Sequence, residues 1–449
     1  MSSFNAIDFK WESVMLIPTS GSAVDIKDVV LQYDVYEDIA TPYCTGSLMI
    51  GDQTGWLEKY KFKGTERLII TVVCNTAGTP DVAGATITKK WHVHTAEQVE
   101  KTGDGDSKST IWVLGLIDEH ASASKATKFS EAIGDGTKLE DEISSICQDK
   151  LGKNVKKKIT PSVQTNWKAV VPYMHPLEAC EWLRDRASTG SGMPFLLYAS
   201  AYDDNLRLST LDKLQEQPPF NGEGVGNAFL YSASQVQADE LDEFGERHKQ
   251  IGDINVSNLS KTFEQIMSGT CGGSYGMVEL DKGIIEGWVP KHYQIIDPAL
   301  AIPKDGIPNI YDPMFSMQGV GPAHSADSRF IYQTLNRKTY RPGGNYKSIH
   351  WEADADSHIN KVKTLACLDM MMKNCFEITV SGRDVVPYGV GDRINCMVPE
   401  DGDETKTGFA QLFSGVFLIT NVKHSFVREV AFGTHRCTMT ITKFNEGGE

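Results

Sequence analysis

Two histidines, His92 and His94 in "KWHVHT", are the first residues here whose type and spacing could do chemistry. Side chains at i and i+2 of a strand leave the same face, and two imidazoles so placed can bind zinc. No third ligand stands nearby in the sequence, and alternation alone puts any such pair on one face. The acidic runs "TGDGDSK" and "PEDGDETKTG" offer oxygens for calcium. Neither has the glycine at the sixth place and the glutamate at the twelfth of a calcium loop, so they read as solvated hairpin tips. "RASTGSGMPF" lacks the glycine frame of a nucleophilic serine, and "GTCGGSYG" and "GEGVGN" match neither the dinucleotide nor the P-loop pattern. The chain holds 59 acidic residues, but nothing singles out a carboxylate pair for glycoside hydrolysis. The expectation is a non-enzyme with no catalytic residue, no bound cofactor and no metal ligand.

The totals narrow the classes further. At 449 residues the chain is long enough for three or four units, and 40% hydrophobic with 23% charged residues is the composition of a folded protein. Nine cysteines without a CxxC pair argue against a disulfide framework and read as small buried hydrophobes. No apolar run reaches membrane-spanning length, and the N-terminus lacks the pattern of a secretory signal. The net charge of −15 repels phosphate backbones, which excludes a nucleic-acid reader of the ordinary basic kind. The same sign suits a wall past which DNA slides without sticking.

The elements that must position these residues fall into four stretches. Residues 1–120 read as β: "DVVLQYDVYEDI" alternates, with Val29, Leu31, Tyr33 and Val35 on one face, and four more strand-like runs follow. A short helical insert is expected at "QTGWLEKY". Residues 121–220 read as an α+β unit. It has a helix at "TKLEDEISSICQDKLG", with Thr137 and Glu140 as a capping box and Gly152 as its stop. A second helix begins at Pro176, and a hairpin follows in "MPFLLYAS" and "LRLSTL". Residues 221–345 are irregular α+β with a helix at "LSKTFEQIMSG". Residues 346–449 open with a helix, "ADSHINKVKTLACLDMMMKNC", and return to β in four runs, the last with Cys437, Met439 and Ile441 inward. The fold class is therefore α+β, mainly β, with two small antiparallel β-barrels at the two ends of the chain and α+β units inserted between them.

One glycine loop needs its own reading. In "VPYGVGDRINCMV", Gly389 precedes a strand that starts at Asp392 and Arg393 and carries Ile394, Cys396 and Val398 inward. The glycines turn the chain, and no ligand is needed to explain them. "KGTERLIITV" near the other end runs in the same order of glycine, acid, arginine and aliphatic strand, with a spacing that differs by one.

The run "FEITVSGRDVVPYGVGDRINCMVP", then "LFSGVFLITNVKHSF" and "HRCTMTITK", resembles the C-terminal barrel of baseplate central hub proteins of contractile-tailed bacteriophages. Type VI secretion spike proteins share that fold. The matching residues are Gly389, Gly391, Asp392, Ser414, Gly415, Phe417, Val422 and His424. The N-terminal run through "YEDIATPYCTGSLMIGD" looks like the family's first barrel. The resemblance implies a structural virion protein of the tail baseplate, assembled in the host cytoplasm. It implies a homotrimer whose two barrels per chain make a pseudo-sixfold ring, joining the sixfold tail tube above to the trimeric central spike below. Tape-measure and baseplate wedge proteins would be further partners, and DNA would pass through the channel without specific binding. His424 would sit on the penultimate strand, where an imidazole can titrate near neutral pH; it reads as a satisfied structural histidine. Two alternatives stay open: a tail-associated peptidoglycan hydrolase, with room for its extra domain in 221–345, and the hub of a related non-phage contractile injection system.

Overall fold

The structure is a computed structural model that describes residues 9–19, 22–52, 55, 62–76, 79–102, 109–162, 167–185, 187, 189, 193–224, 227–231, 250–256, 273–279, 291–293, 330–335, 375–381, 388–399, 413–428 and 433–442. The expected helices at 53–60, but for Gly55, and at 259–269 and 355–374 lie outside the described residues, as do most of both acidic tips. The fold is mainly β, with α+β material between two β units.

The first unit supplies β1 (Phe9–Ile17), β2 (Val24–Asp25), β3 (Val30–Asp38), β4 (Thr45–Asp52), β5 (Arg67–Thr76), β6 (Thr79–Thr102) and β7 (Ser109–Asp118). They are antiparallel neighbours in the order β3-β4-β7-β6-β5-β1-β2. The alternation expected along β3 holds for Tyr33 and Val35, and the next inward position is Glu37. Upstream it slips, because the register shifts between Val30 and Gln32 and turns Val30 inward in place of Leu31.

The inserted unit runs from helix Glu119–Ala126 through β8 (Ala132–Thr137), helix Leu139–Leu151, β9 (Val155–Lys158), β10 (Trp167–Val170), helix Pro176–Arg184, β11 (Phe195–Ser200) and β12 (Asp203–Thr210) to the short helix Leu211–Gln215. Gly152, at φ +63°, stops its helix as expected, and Pro176 begins the next. The expected capping box does not form. Thr137 ends a strand, Lys138 takes the cap position without a side-chain bond, and the Glu140 carboxylate turns inward to accept from Ser162 Oγ at 2.8 Å. A Ser/Thr-x-x-Glu spacing caps a helix only when the chain enters at the Ser or Thr.

The second β unit is a closed six-stranded barrel. It consists of β13 (Phe229–Tyr231), β14 (Gln250–Asn255), β18 (Cys375–Ser381), β19 (Arg393–Met397), β20 (Gly415–Arg428) and β21 (Gly433–Thr442), in the order β19-β13-β14-β18-β21-β20, and β20 pairs back to β19. Three further strands, β15 (Gly273–Glu279), β16 (Lys291–Tyr293) and β17 (Phe330–Leu335), form a small separate sheet. The barrel thus takes β13 and β14 from the stretch read as irregular. Each is a few residues long and pairs with strands more than a hundred residues away, so no local pattern marks it.

Long-range pairing joins the units. β20 runs antiparallel to β3, from Asn421 opposite Asp38 to Val427 opposite Gln32, so thirteen strands make one continuous sheet. Rings bridge the space between β1 and this seam. Phe9 lies 5.0 Å from Trp11 and 5.1 Å from Phe426, and Phe426 stacks on Tyr33 at 5.9 Å. Between the two cores stands β11, buried at all six residues. Phe195, Leu197 and Ala199 join the core shared by the first unit and the insert, while Leu196 and Tyr198 join the core of the barrel. A strand with both faces buried reads as an unbroken apolar run, which "FLLYAS" is.

Candidate functional site

The inward step of β3 from Tyr33 to Val35 to Glu37 places a carboxylate where the three units meet. Glu37 Oε1 accepts the Ala201 N–H at 2.7 Å, from the turn between β11 and β12. Its Oε2 accepts the Val390 N–H at 3.0 Å, from the loop before β19. The third neighbour is His424 on β20, whose Nε2 stands 3.6 Å from Oε1, beyond a direct hydrogen bond; both side chains are fully buried. Burial pushes the Glu37 carboxyl up, but His424 and the amides of Val390 and Ala201 outweigh it and hold the group below the ordinary carboxylate range.

This geometry explains the glycine loop. A Cβ at Gly389 would lie 2.5 Å from Glu37 Oε2 and 2.7 Å from Ser200 Oγ, so only glycine lets the loop close on the carboxylate. Gly391 is required twice over: its φ is +83°, and a Cβ there would lie within van der Waals distance of the Tyr198 ring and hydroxyl. Asp392 completes the turn by accepting the Gly389 N–H at 3.0 Å. Burial raises its carboxyl, opposed by Arg207, whose Nη1 lies 4.0 Å away. The loop does hold an anion, and the anion is the chain's own Glu37.

Beside this joint lies a second cluster. His424 Nδ1 is 3.3 Å from His435 Nε2, and Cys437 Sγ is 2.9 Å from the first and 3.6 Å from the second. All three are buried, and among the described residues they are the group of three whose donor atoms stand close enough to share a metal ion. The far nitrogen of His435, Nδ1, faces Cys74 Sγ of β5 at 3.8 Å, and its ring stacks on Phe426 at 4.1 Å.

The other residues singled out in the sequence are spread over the barrel. Ser414 Oγ accepts the Val398 N–H at 2.9 Å and donates to its carbonyl at 3.1 Å, pinning the entry of β20 to the end of β19. Gly415, at φ +119°, starts that strand; Phe417 and Val422 fill the barrel core. Gly389 and His424 therefore come together through Glu37, whereas Ser414, Gly415 and Phe417 serve the barrel wall. His92 is half-buried and His94 exposed, with a register shift between Val93 and Thr95.

Three groups escaped sequence reading. Glu37 carried a signal, since a carboxylate continued an inward apolar period. His435 did too, being two residues before Cys437 on the inward face of β21. Lys89 had none: it reaches across to the buried Asp118, Nζ to Oδ2 at 3.3 Å, while the same oxygen accepts the Cys44 N–H at 2.7 Å. Burial alone would favour a neutral amine, but the carboxylates of Asp118 and Glu37 stabilise the ammonium and raise its pKa.

No protein-family model and no curated protein matches this sequence. Among solved structures, a tail protein from Neisseria meningitidis MC58 superposes with a TM-score of 0.50 at 14% identity, over 96% of this chain and 96% of its own. This chain shares that tail protein's fold. The 43 kDa tail protein of prophage MuSo2 from Shewanella oneidensis gives 0.49 at 10% identity, over 96% and 98% of the two chains. A component of the type VI secretion system of E. coli, itself structurally similar to bacteriophage T4 tail proteins, gives 0.40 at 9%, over 98% and 77%. Among the described residues, no helix is long and apolar enough to cross a membrane.

Proposed function

We propose that this chain is a structural hub of a phage tail baseplate: a homotrimer whose two β units per chain alternate around a ring, between a sixfold tube and a trimeric spike. One observation carries the reading. The fold shared with a tail protein along 96% of both chains holds two β units side by side in one continuous sheet, tied by the β3–β20 seam and the buried Glu37 joint. Two units locked rigidly at one angle can repeat three times around an axis and still present six similar faces. Lateral pairing in such a ring would also bury exposed sheet edges. In this reading the chain's acidic surplus faces a channel for DNA, and the role is assembly rather than catalysis.

The test is the mass and shape of the purified protein. Mass photometry is expected to find a species of three times the 49.6 kDa chain, alone or with its spike and tube partners, and averaged electron micrographs a three-lobed ring with a central hole. Compact monomers under every condition, with the spike present, would overturn the hub. Clearing of purified peptidoglycan in a zymogram would favour a hydrolase instead.

A further inference from the structure

We propose that His424, His435 and Cys437 form a buried structural zinc site, with Glu37 and Cys74 as its outer shell. The donor set is two imidazole nitrogens and one sulfur, the chemistry zinc selects. With zinc at about 2.0–2.1 Å from nitrogen and about 2.3 Å from sulfur, tetrahedral ligands stand roughly 3.3 Å apart for two nitrogens and roughly 3.6 Å for nitrogen and sulfur. The His424–His435 separation is 3.3 Å and the His435–Cys437 separation 3.6 Å. The third, 2.9 Å between Cys437 and His424, opens by several tenths of an ångström on binding.

The outward nitrogens make the case stronger than three distances. A metal-bound histidine commonly gives its other N–H to a carboxylate or a similar acceptor, which fixes the tautomer and turns the ring. Here Nδ1 of His424 faces the cluster while its Nε2, which has no direct hydrogen bond, points at the buried Glu37 carboxylate 3.6 Å away. His435 faces the cluster with Nε2 and turns Nδ1 toward Cys74. The three ligands come from β20 and β21, the outer shell from β3 and β5, so an ion here would fasten the barrel to the first unit. Binding takes up the metal and releases the Cys437 thiol proton.

The test uses the full chain, expressed with zinc or cobalt in the medium and purified without chelator. Elemental analysis should find close to one zinc per chain. The cobalt form should show the thiolate-to-cobalt charge-transfer band and tetrahedral visible bands. Cys437→Ser should lose the band and bring the metal to background, and His435→Gln should lower it strongly. His94→Ala should keep it, and Glu37→Gln should weaken affinity by about 10- to 100-fold. A chelator should lower the melting temperature of the unaltered protein and leave Cys437→Ser unmoved. Should a variant fail to fold, the unaltered chain still decides through its metal content and cobalt spectrum. Unaltered chain without metal or charge-transfer band, or metal retained in Cys437→Ser, would overturn the site and leave a thiol–imidazole hydrogen-bond cluster.

Discussion

The turn "KGTER" in the first β unit and the turn "GVGDR" in the second are built alike and used differently. Each has a glycine at positive φ, Gly64 at +77° and Gly391 at +83°. Each has an acid before the arginine that starts a strand, β5 or β19. In each, the acid's carbonyl accepts an N–H from the following strand: Val93 to Glu66 and Ile419 to Asp392, both at 3.0 Å. The side chains part company. Glu66 folds back on its own turn and accepts the amides of Lys63, Gly64 and Thr65 at 2.7–2.9 Å. Asp392 accepts the Gly389 amide, and the neighbouring Val390 amide is left for Glu37 of the other unit. One turn closes on itself, and the other became a clasp. The two turns share the order of glycine, acid and arginine, and the difference lies in where the acid's side chain turns, which leaves an amide of the second loop for the other unit.

The sharpest way to break the comparison is Glu37→Ala. It strands two buried amides and the neighbouring imidazole, and should cost about 3–5 kcal/mol in denaturant unfolding. Gly391→Ala should follow, at about 3 kcal/mol, from the left-handed backbone plus the collision with Tyr198. The matching Glu66→Ala should cost only about 1–2 kcal/mol: Glu66 is buried, but Lys63 and Thr65, whose amides it accepts, are exposed, so water can reach those amides. Gly64→Ala should cost about 1 kcal/mol, since nothing lies within 4 Å of a Cβ there and only the backbone term remains. If the two glycines cost the same, the clasp does not distinguish the turns.

The smallest effect is expected at Asp392. Its carboxyl is raised by burial above the ordinary 3.8, so its favourable contribution is complete below that pH and is lost as the pH rises through the folded value. Asp392→Asn still accepts the Gly389 amide and carries no buried charge. It should therefore be neutral or slightly stabilising at pH 7 relative to the parent, with the gap closing toward pH 3, as followed by melting temperature.

Much of this was legible from residues alone. Alternation marked β21, the runs "MPFLLYAS" and "LRLSTL" marked a hairpin, and Gly152 and Pro176 marked helix ends by their backbone preferences. Turn chemistry showed that the "PYGVGD" glycines bend the chain. Local rules could not show what the bend embraces. A carboxylate on an inward position of β3 is an anomaly until its partners arrive from residues 201, 390 and 424, and a capping-box spacing at Thr137 is idle when the helix starts one residue later. The sequence by itself determined the strands, the helix ends and the turns, because these depend on neighbours within a few residues. The tertiary structure alone decided which strands close the barrel and which carboxylate the glycine loop holds. Those outcomes depend on contacts hundreds of residues apart, where burial and hydrogen-bond satisfaction act across the whole chain.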